Sequence, residues 1–257
     1  MQGQSQQQAY DRGITIFSPD GRLYQVEYAR EAVKRGTASV GVRGEDSVVL
    51  AADKRARSTL MEPASIEKLH KADDHVGVAS AGHVADARQL IDFARRQAQV
   101  NRLRYGEAMG IETLTKTITD HIQENTQRGG TRPYGAALLI GGIEDGEPRL
   151  FAADPSGTPN EWKATVIGGG RQDIQSHLEE EWTDDLSVTA GVELGLAALA
   201  AHEDEFEPAD VAVATITEAD GYRRVPADEV EAAFASAGLV VEEDEESDDA
   251  DDADDEE

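Results

Sequence analysis

Between Thr37 and Thr217 the apolar residues keep two different periods, and the order of those periods restricts the possible folds severely. The run TASVGVR alternates small or polar residues with Val40 and Val42, the period of a half-buried strand. Gly44-Glu45-Asp46 forms a turn, and SVVLAAD makes a second strand. A further strand, HVGVASAG, leads to Gly82, and there the period becomes helical. Val84, Ala87, Leu90, Ile91, Ala94 and Ala98 define one long helix; Ile111, Leu114, Ile118 and Ile122 define a second, ending at Gly129-Gly130. Strands YGAALLIGGI and PRLFAADP follow, joined by a turn at Glu144-Asp145-Gly146. EWKATVIGGG reads as another strand, with helices near 171–182 and 187–202 behind it. DVAVATIT is the last strand, and a helix from Pro226 to Ala237 completes the body. Strands clustered as hairpins favour antiparallel sheets over a repeating βαβ unit. Helices grouped in pairs suit layers that cover sheet faces, so the expected class is an α+β sandwich.

The chain of 257 residues is long enough for one domain with a well-buried core, taken as residues 1–241. Residues 242–257 contain no apolar side chain larger than Ala and read as a disordered acidic tail. Net charge is −28, and about −15 remains once the thirteen acids of that tail are set aside. Such a surface repels nucleic acid and anionic lipid, which excludes both as expected partners. It suits a cell with molar internal salt, where the Debye length falls to about 3 Å and self-repulsion is screened. The absence of cysteine excludes disulfides and thiolate metal sites and fits a reducing cytoplasm. MQGQSQQQAY has neither the basic start nor the apolar centre of a signal peptide, and no apolar run reaches the roughly 18 residues of a membrane span.

Enzyme signatures are sparse. Gly168-Gly169-Gly170 lacks the spacing of a dinucleotide fingerprint and reads as a tight strand-to-helix turn. The histidines at 70, 75, 83, 121, 177 and 202 show no metal-ligand spacing, so no metal or other cofactor is expected. What stands out is the start of the chain. Gln2 to Gln8 is polar, and Ser18-Pro19-Asp20-Gly21 forms a turn. Ser18 or Asp20 can cap a helix over about 20–35 whose buried stripe is Leu23, Val26, Arg30 and Val33, with Gly36 ending it.

The block YDRGITIFSPDGRLYQVEYAREAVKRGT, residues 10–37, resembles the signature of proteasome α-subunits almost without departure. The resemblance continues through SVVLAADKRARS, ASIEK, VADARQLIDFAR, RPYGAALLIGGI, PRLFAADPSG and EWKATVIGGG, covering most of residues 9–235. It implies a four-layer αββα sandwich of the N-terminal-nucleophile type. It also implies a non-catalytic role in a heptameric α-ring, stacked on proteasome β-subunits and gating the entry of unfolded protein substrates. By the same resemblance, Tyr10, Asp11, Pro19 and Tyr28 match a cluster between neighbouring subunits that holds the gate open, with Arg12 beside them. The arm of residues 1–19 would plug the pore. Lys68 and Gly82 match a pocket that receives the C-terminal carboxylate of an activating AAA+ ATPase, with Glu27 nearby. His83 stands where the family pattern has leucine.

The nearest rival is the β-subunit, a threonine protease on the same fold. Gly36-Thr37 offers a cleavage point, and Asp53 lies sixteen residues beyond Thr37. The family's lysine would fall at Leu69, however, with Lys68 one place short. In a strand, a one-residue shift turns the side chain to the opposite face. A halophilic scaffold of the same fold fits the composition but leaves the 10–37 block unexplained, and an amidohydrolase of this fold would need Thr37 or Ser39 exposed by cleavage, since cysteine is absent.

Overall fold

A computed structural model describes residues 16–56, 58–202 and 206–239. Tyr10, Asp11, Arg12, most of the proposed gate arm and the acidic tail lie outside the described residues. The first described helix, α1 (Tyr24–Lys34), precedes hairpin β1 (Ser39–Arg43) and β2 (Ser47–Asp53). Strands β3 (Leu69–Asp73) and β4 (Val76–Gly82) lead to the long helices α2 (Val84–Tyr105) and α3 (Ile111–Gln127). Next come β5 (Ala136–Glu144), β6 (Glu147–Ala153), β7 (Pro159–Glu161) and β8 (Ala164–Ile167). Helices α4 (Arg171–Glu181) and α5 (Val188–Ala200), strands β9 (Val211–Thr217) and β10 (Gly221–Arg224), and α6 (Ala227–Ser236) complete the order.

The strands form two five-stranded sheets, ordered β10-β9-β2-β1-β8 and β3-β4-β5-β6-β7, with every pairing antiparallel. Each sheet is covered on both faces, which is why SVVLAAD is buried at every position. Period two then decides which layer each residue joins. On β2, Val49 and Ala51 face α4, α5 and α6, while Val48, Leu50 and Ala52 face the second sheet. On β5, Leu138 and Ile140 meet α2 and α3, while Ala137 and Leu139 point back between the sheets. Three apolar layers separate four layers of secondary structure, so the expected αββα sandwich is what forms.

The turn residues behave as their chemistry dictates. Asp145 and Gly146 both have positive φ, 54° and 81°, which gives the β5–β6 hairpin its two-residue reversal. Gly168 and Gly170 are likewise left-handed, at 103° and 63°, and make the tight passage from β8 into α4. Among the described residues no helix is long and apolar enough to cross a membrane.

One expectation about the first helix fails. It begins at Tyr24 rather than near 20, and its N-cap position, Leu23, supplies no side-chain bond. Ser18 closes the preceding turn instead: its Oγ accepts the Arg22 N–H at 3.1 Å, and its carbonyl accepts the Gly21 N–H at 2.9 Å. With Gly21 at a φ of 74° the chain has already reversed, so the Ser18 hydroxyl is committed before the helix starts. Strands β3, β7 and β10 are additions to the expected order. Their residues, LHKAD, PNE and GYRR, carry little apolar pattern because all three are edge strands.

Candidate functional site

Helix α1 lies against the second sheet through Val26, Ala29 and Val33. Arg30 belongs to the same stripe but remains half exposed, and it reaches a partner 124 positions away. Its Nε and Nη2 donate to Asp154 Oδ2 at 3.0 and 2.8 Å, and its Nη1 donates to Glu27 Oε1 at 2.8 Å. Asp154 Oδ1 in turn accepts from Ser156 and Thr158, closing the turn after β6. Burial raises the Asp154 carboxyl, but the Ser156 hydroxyl and Arg30 outweigh it and hold the group below its ordinary value. An arginine on an otherwise buried helical face is thus explained by a fixed carboxylate opposite it.

Lys68 is buried, and it lies beside the junction between α1 and β1. Its Nζ donates to Thr37 O, Thr37 Oγ1, Ala38 O and Asp53 O, at 2.8, 2.8, 2.7 and 2.9 Å. Spacing alone turns this side chain away from Thr37, and the geometry overturns that. Lys68 stands just before β3, where strand alternation has not begun. Leu69, the first residue of β3, takes the inward position in the apolar layer between the sheets. Thr37, Asp53 and Lys68 therefore meet despite the altered count. The Asp53 carboxylate, however, faces Arg55, whose Nη2 donates to Oδ2 at 2.8 Å; only the Asp53 carbonyl reaches Lys68. Burial pushes the Lys68 ammonium down to about 7, against the opposing pull of the Asp53 charge.

This cluster forms one wall of a cleft of about 730 Å³. Gly36, Thr37, Lys68, Gly82, His83 and Arg88 are among its lining residues. Gly82 has a φ of 100°, and a Cβ there would stand 2.4 Å from Gly135 O and 3.2 Å from Val33 Cα. Only glycine lets the cleft wall approach the helix end so closely. His83 is exposed and opens α2, while Asp86 one turn later takes the Gly135 N–H at 2.8 Å and both Arg132 nitrogens, fixing the strand entry opposite.

The structure thus brings together Lys68 and Gly82 from the residues expected to act. Glu27 pairs with Arg30 and does not line the Lys68 cleft within one chain. Tyr28 is exposed on α1, and Pro19 is exposed in the turn before it. Spacing along the chain does not predict the contacts of Asp154 and Thr37; the DPSG turn and the Gly36-Thr37 pair are the local signals that mark these two residues.

Residues 10–32 match the N-terminal signature of A-type proteasome subunits, and residues 33–216 match the general proteasome subunit family. The chain belongs to the proteasome α-subunit family. It is 67% identical over 247 residues to the proteasome alpha 1 subunit of Haloferax volcanii, covering 95% of this chain and 98% of that protein. It is 68% identical over 241 residues to the proteasome alpha subunit of Haloquadratum walsbyi, covering 93% and 96% respectively. The proteasome alpha 2 subunit of Haloferax volcanii is 60% identical over 238 residues, covering 93% and 95%. The relatives are haloarchaeal, in keeping with the acidic composition. For this proteasome α-type chain, family membership implies assembly in an α-ring with β-subunits.

Proposed function

We propose that this chain is a non-catalytic subunit of a heptameric α-ring in a cytoplasmic proteasome core. Its N-terminal segment, with Tyr10, Asp11, Arg12, Pro19 and Tyr28, gates the entry of unfolded protein substrates. Its Lys68 cleft, with Gly82, receives the C-terminal carboxylate of an activating AAA+ ATPase, supporting ATP-dependent degradation. Glu27 joins the cleft only across a ring neighbour.

One observation carries the reading: the segment ahead of Thr37 is built into the sandwich. An N-terminal threonine acts with its own free amine as base, so Gly36 and everything before it would have to leave. Here Gly36 O accepts the Gly169 N–H at 2.8 Å, a Cβ on Gly36 would meet Gly82 N at 2.7 Å, and Arg30 ties α1 to Asp154. A disposable leader has no need of such anchoring. Phe17, Tyr28 and Leu60, exposed by 64%, 51% and 94%, give one copy apolar surface that a ring neighbour would cover.

Intact mass of the chain purified from the native core tests the assignment. Retention of Gly36 and the residues before it is expected; a chain starting at Thr37 would sink it. Removing residues 2–12 is expected to raise peptide hydrolysis by the assembled core without an ATPase. Unchanged hydrolysis would remove the gate from the proposal.

A further inference from the structure

A second cavity, of about 460 Å³, lies between helix α1, the turn after β6 and the passage from β8 into α4. It shares no lining residue with the Lys68 cleft. Its volume is within the range of small-molecule sites. The sheets make part of its wall apolar through Ala137, Val166 and Ile167, and Val33 continues that wall from α1.

The charge around it runs against the rest of the molecule. In a chain of net charge −28, Arg30, Lys34 and Arg171 line this cavity with a single carboxylate, Asp154, among them. Lys34 is committed to Glu31 at 2.6 Å. A guanidinium has five N–H donors, and Arg30 spends three of them, two on Asp154 and one on Glu27. Arg171 is exposed and makes no ion pair among the described residues. One lining cation is therefore uncommitted.

An uncommitted neutral donor accompanies it. Trp162 lines the cavity, and its Nε1 is buried without a hydrogen-bond partner among the described residues. Trp182 shows what an indole in this chain otherwise does, donating its Nε1–H to Arg43 O at 2.9 Å. A buried indole N–H without an acceptor is costly, and an oxygen brought into the cavity would satisfy it.

We infer that this cavity is a binding site for a small apolar carboxylate. The apolar body packs on Val33, Val166 and Ile167; Arg171 supplies the charge for the carboxylate, and Trp162 donates to an oxygen of the same molecule. A single negative charge fits better than a phosphate dianion, because only one lining cation is uncommitted. In molar salt an exposed ion pair is screened beyond about 3 Å, so the apolar body carries most of the affinity and the charge sets selectivity. The ligand would touch both α1 and the turn into α4, and so tie the two together.

The test uses the assembled core in molar KCl. Equilibrium dialysis reads the binding of labelled 4-phenylbutyrate, with 4-phenylbutanamide and inorganic phosphate as competitors. Saturable binding at one probe per chain is expected; its absence would overturn the site. The amide is expected to compete about tenfold more weakly, the loss of a charged hydrogen-bond partner, and phosphate to compete not at all. Competition by the amide at equal strength, or full competition by phosphate, would overturn the ligand class. Arg171→Gln is expected to weaken the probe by about threefold to tenfold, and Arg171→Lys to retain most of the affinity. Trp162→Phe keeps a ring but removes the N–H. W162F is expected to weaken the probe by a similar factor, yet to melt no lower than wild type, since it deletes an unpaired buried donor. Unaltered binding in both R171Q and W162F would place the probe elsewhere and overturn the assignment. A second readout needs no variant. Saturating probe is expected to slow trypsin cleavage after Arg30 and Arg171 in wild type, and unchanged cleavage at saturation would also remove the site.

Discussion

Lys68 Nζ donates to the Thr37 hydroxyl at 2.8 Å, while that hydroxyl donates to the Asp53 carbonyl at the same distance. The three residues thus form a closed set of donors and acceptors across the end of the first sheet. The Asp53 carboxylate stands outside the set, held by Arg55. The arrangement commits the lysine to three backbone oxygens and one hydroxyl and leaves Thr37 joined to Gly36, which suits an anchor better than a nucleophile.

Proton linkage at Lys68 gives the first prediction. An unfolded lysine titrates near 10.5, and burial brings this one to about 7, with Asp53 and Arg55 as its charged neighbours. Between those values the unfolded chain holds a proton that the folded chain has released, so this group makes stability rise with pH across that window. Below 7 both states are protonated and the contribution is flat. Docking runs the other way, because only the ammonium attracts a carboxylate. Affinity of the core for a free-carboxylate peptide is expected to weaken as pH rises from 7 to 9, with the amidated peptide unaffected. Glu67, His83 and Arg88 also face the cleft, so the comparison of the two peptides isolates the carboxylate.

Gly82→Ala is expected to be severe. The new Cβ would meet Gly135 O at 2.4 Å, and the residue would keep a left-handed φ. Backbone strain of this kind costs about 1–3 kcal/mol before any displacement of neighbours. Thermal unfolding of the variant is expected to shift down by about 3–10 °C. An unshifted midpoint would mean that the wall can retreat without cost.

Asp154→Asn keeps an oxygen for Ser156 and Thr158 but removes the charge facing Arg30. Arg30 is 41% exposed, so the global loss should be small, about 1 kcal/mol or less. The local effect is expected to be larger. Limited trypsin digestion should cut within α1, after Arg30 or Lys34, several times faster than in wild type, on the scale of about 1 kcal/mol of local opening. Identical digestion rates would show that Asp154 does not restrain the helix.

Asp86 offers an acid-side test. Burial raises its carboxyl, but Arg132 and the Gly135 N–H prevail and hold it below its ordinary value. A depressed carboxylate contributes stability that is present above its unfolded value of 3.8 and is lost as pH falls through the folded one. Asp86→Ala would leave the Gly135 N–H buried and unpaired, costing about 1–3 kcal/mol. Denaturant midpoints at pH 7 and pH 3 are expected to differ less in the variant than in wild type.

Much of the fold was legible because it depends on local rules. Period two and period 3.6 placed the core strands and six helices, and Asp145, Gly146, Gly168 and Gly170 turned where glycine and aspartate permit positive φ. The edge strands β3, β7 and β10 were not legible, since their partners rather than their own side chains make them strands. The helix cap was misplaced because Ser18 found a nearer donor in the turn.

The sequence by itself determined the layers, the family block over residues 10–37 and the acidic balance, all of which follow from composition and spacing. It also supplied Lys68 and Gly82 as candidates. Only the tertiary structure decided that Lys68 meets Thr37, that Arg30 meets Asp154 and that Glu27 stays with Arg30. The first two contacts join residues 31 and 124 positions apart, and no local pattern carries them. They arise where two sheets and a helix converge, and there a one-residue change in count is absorbed by the turn before β3 rather than transmitted to the side chain.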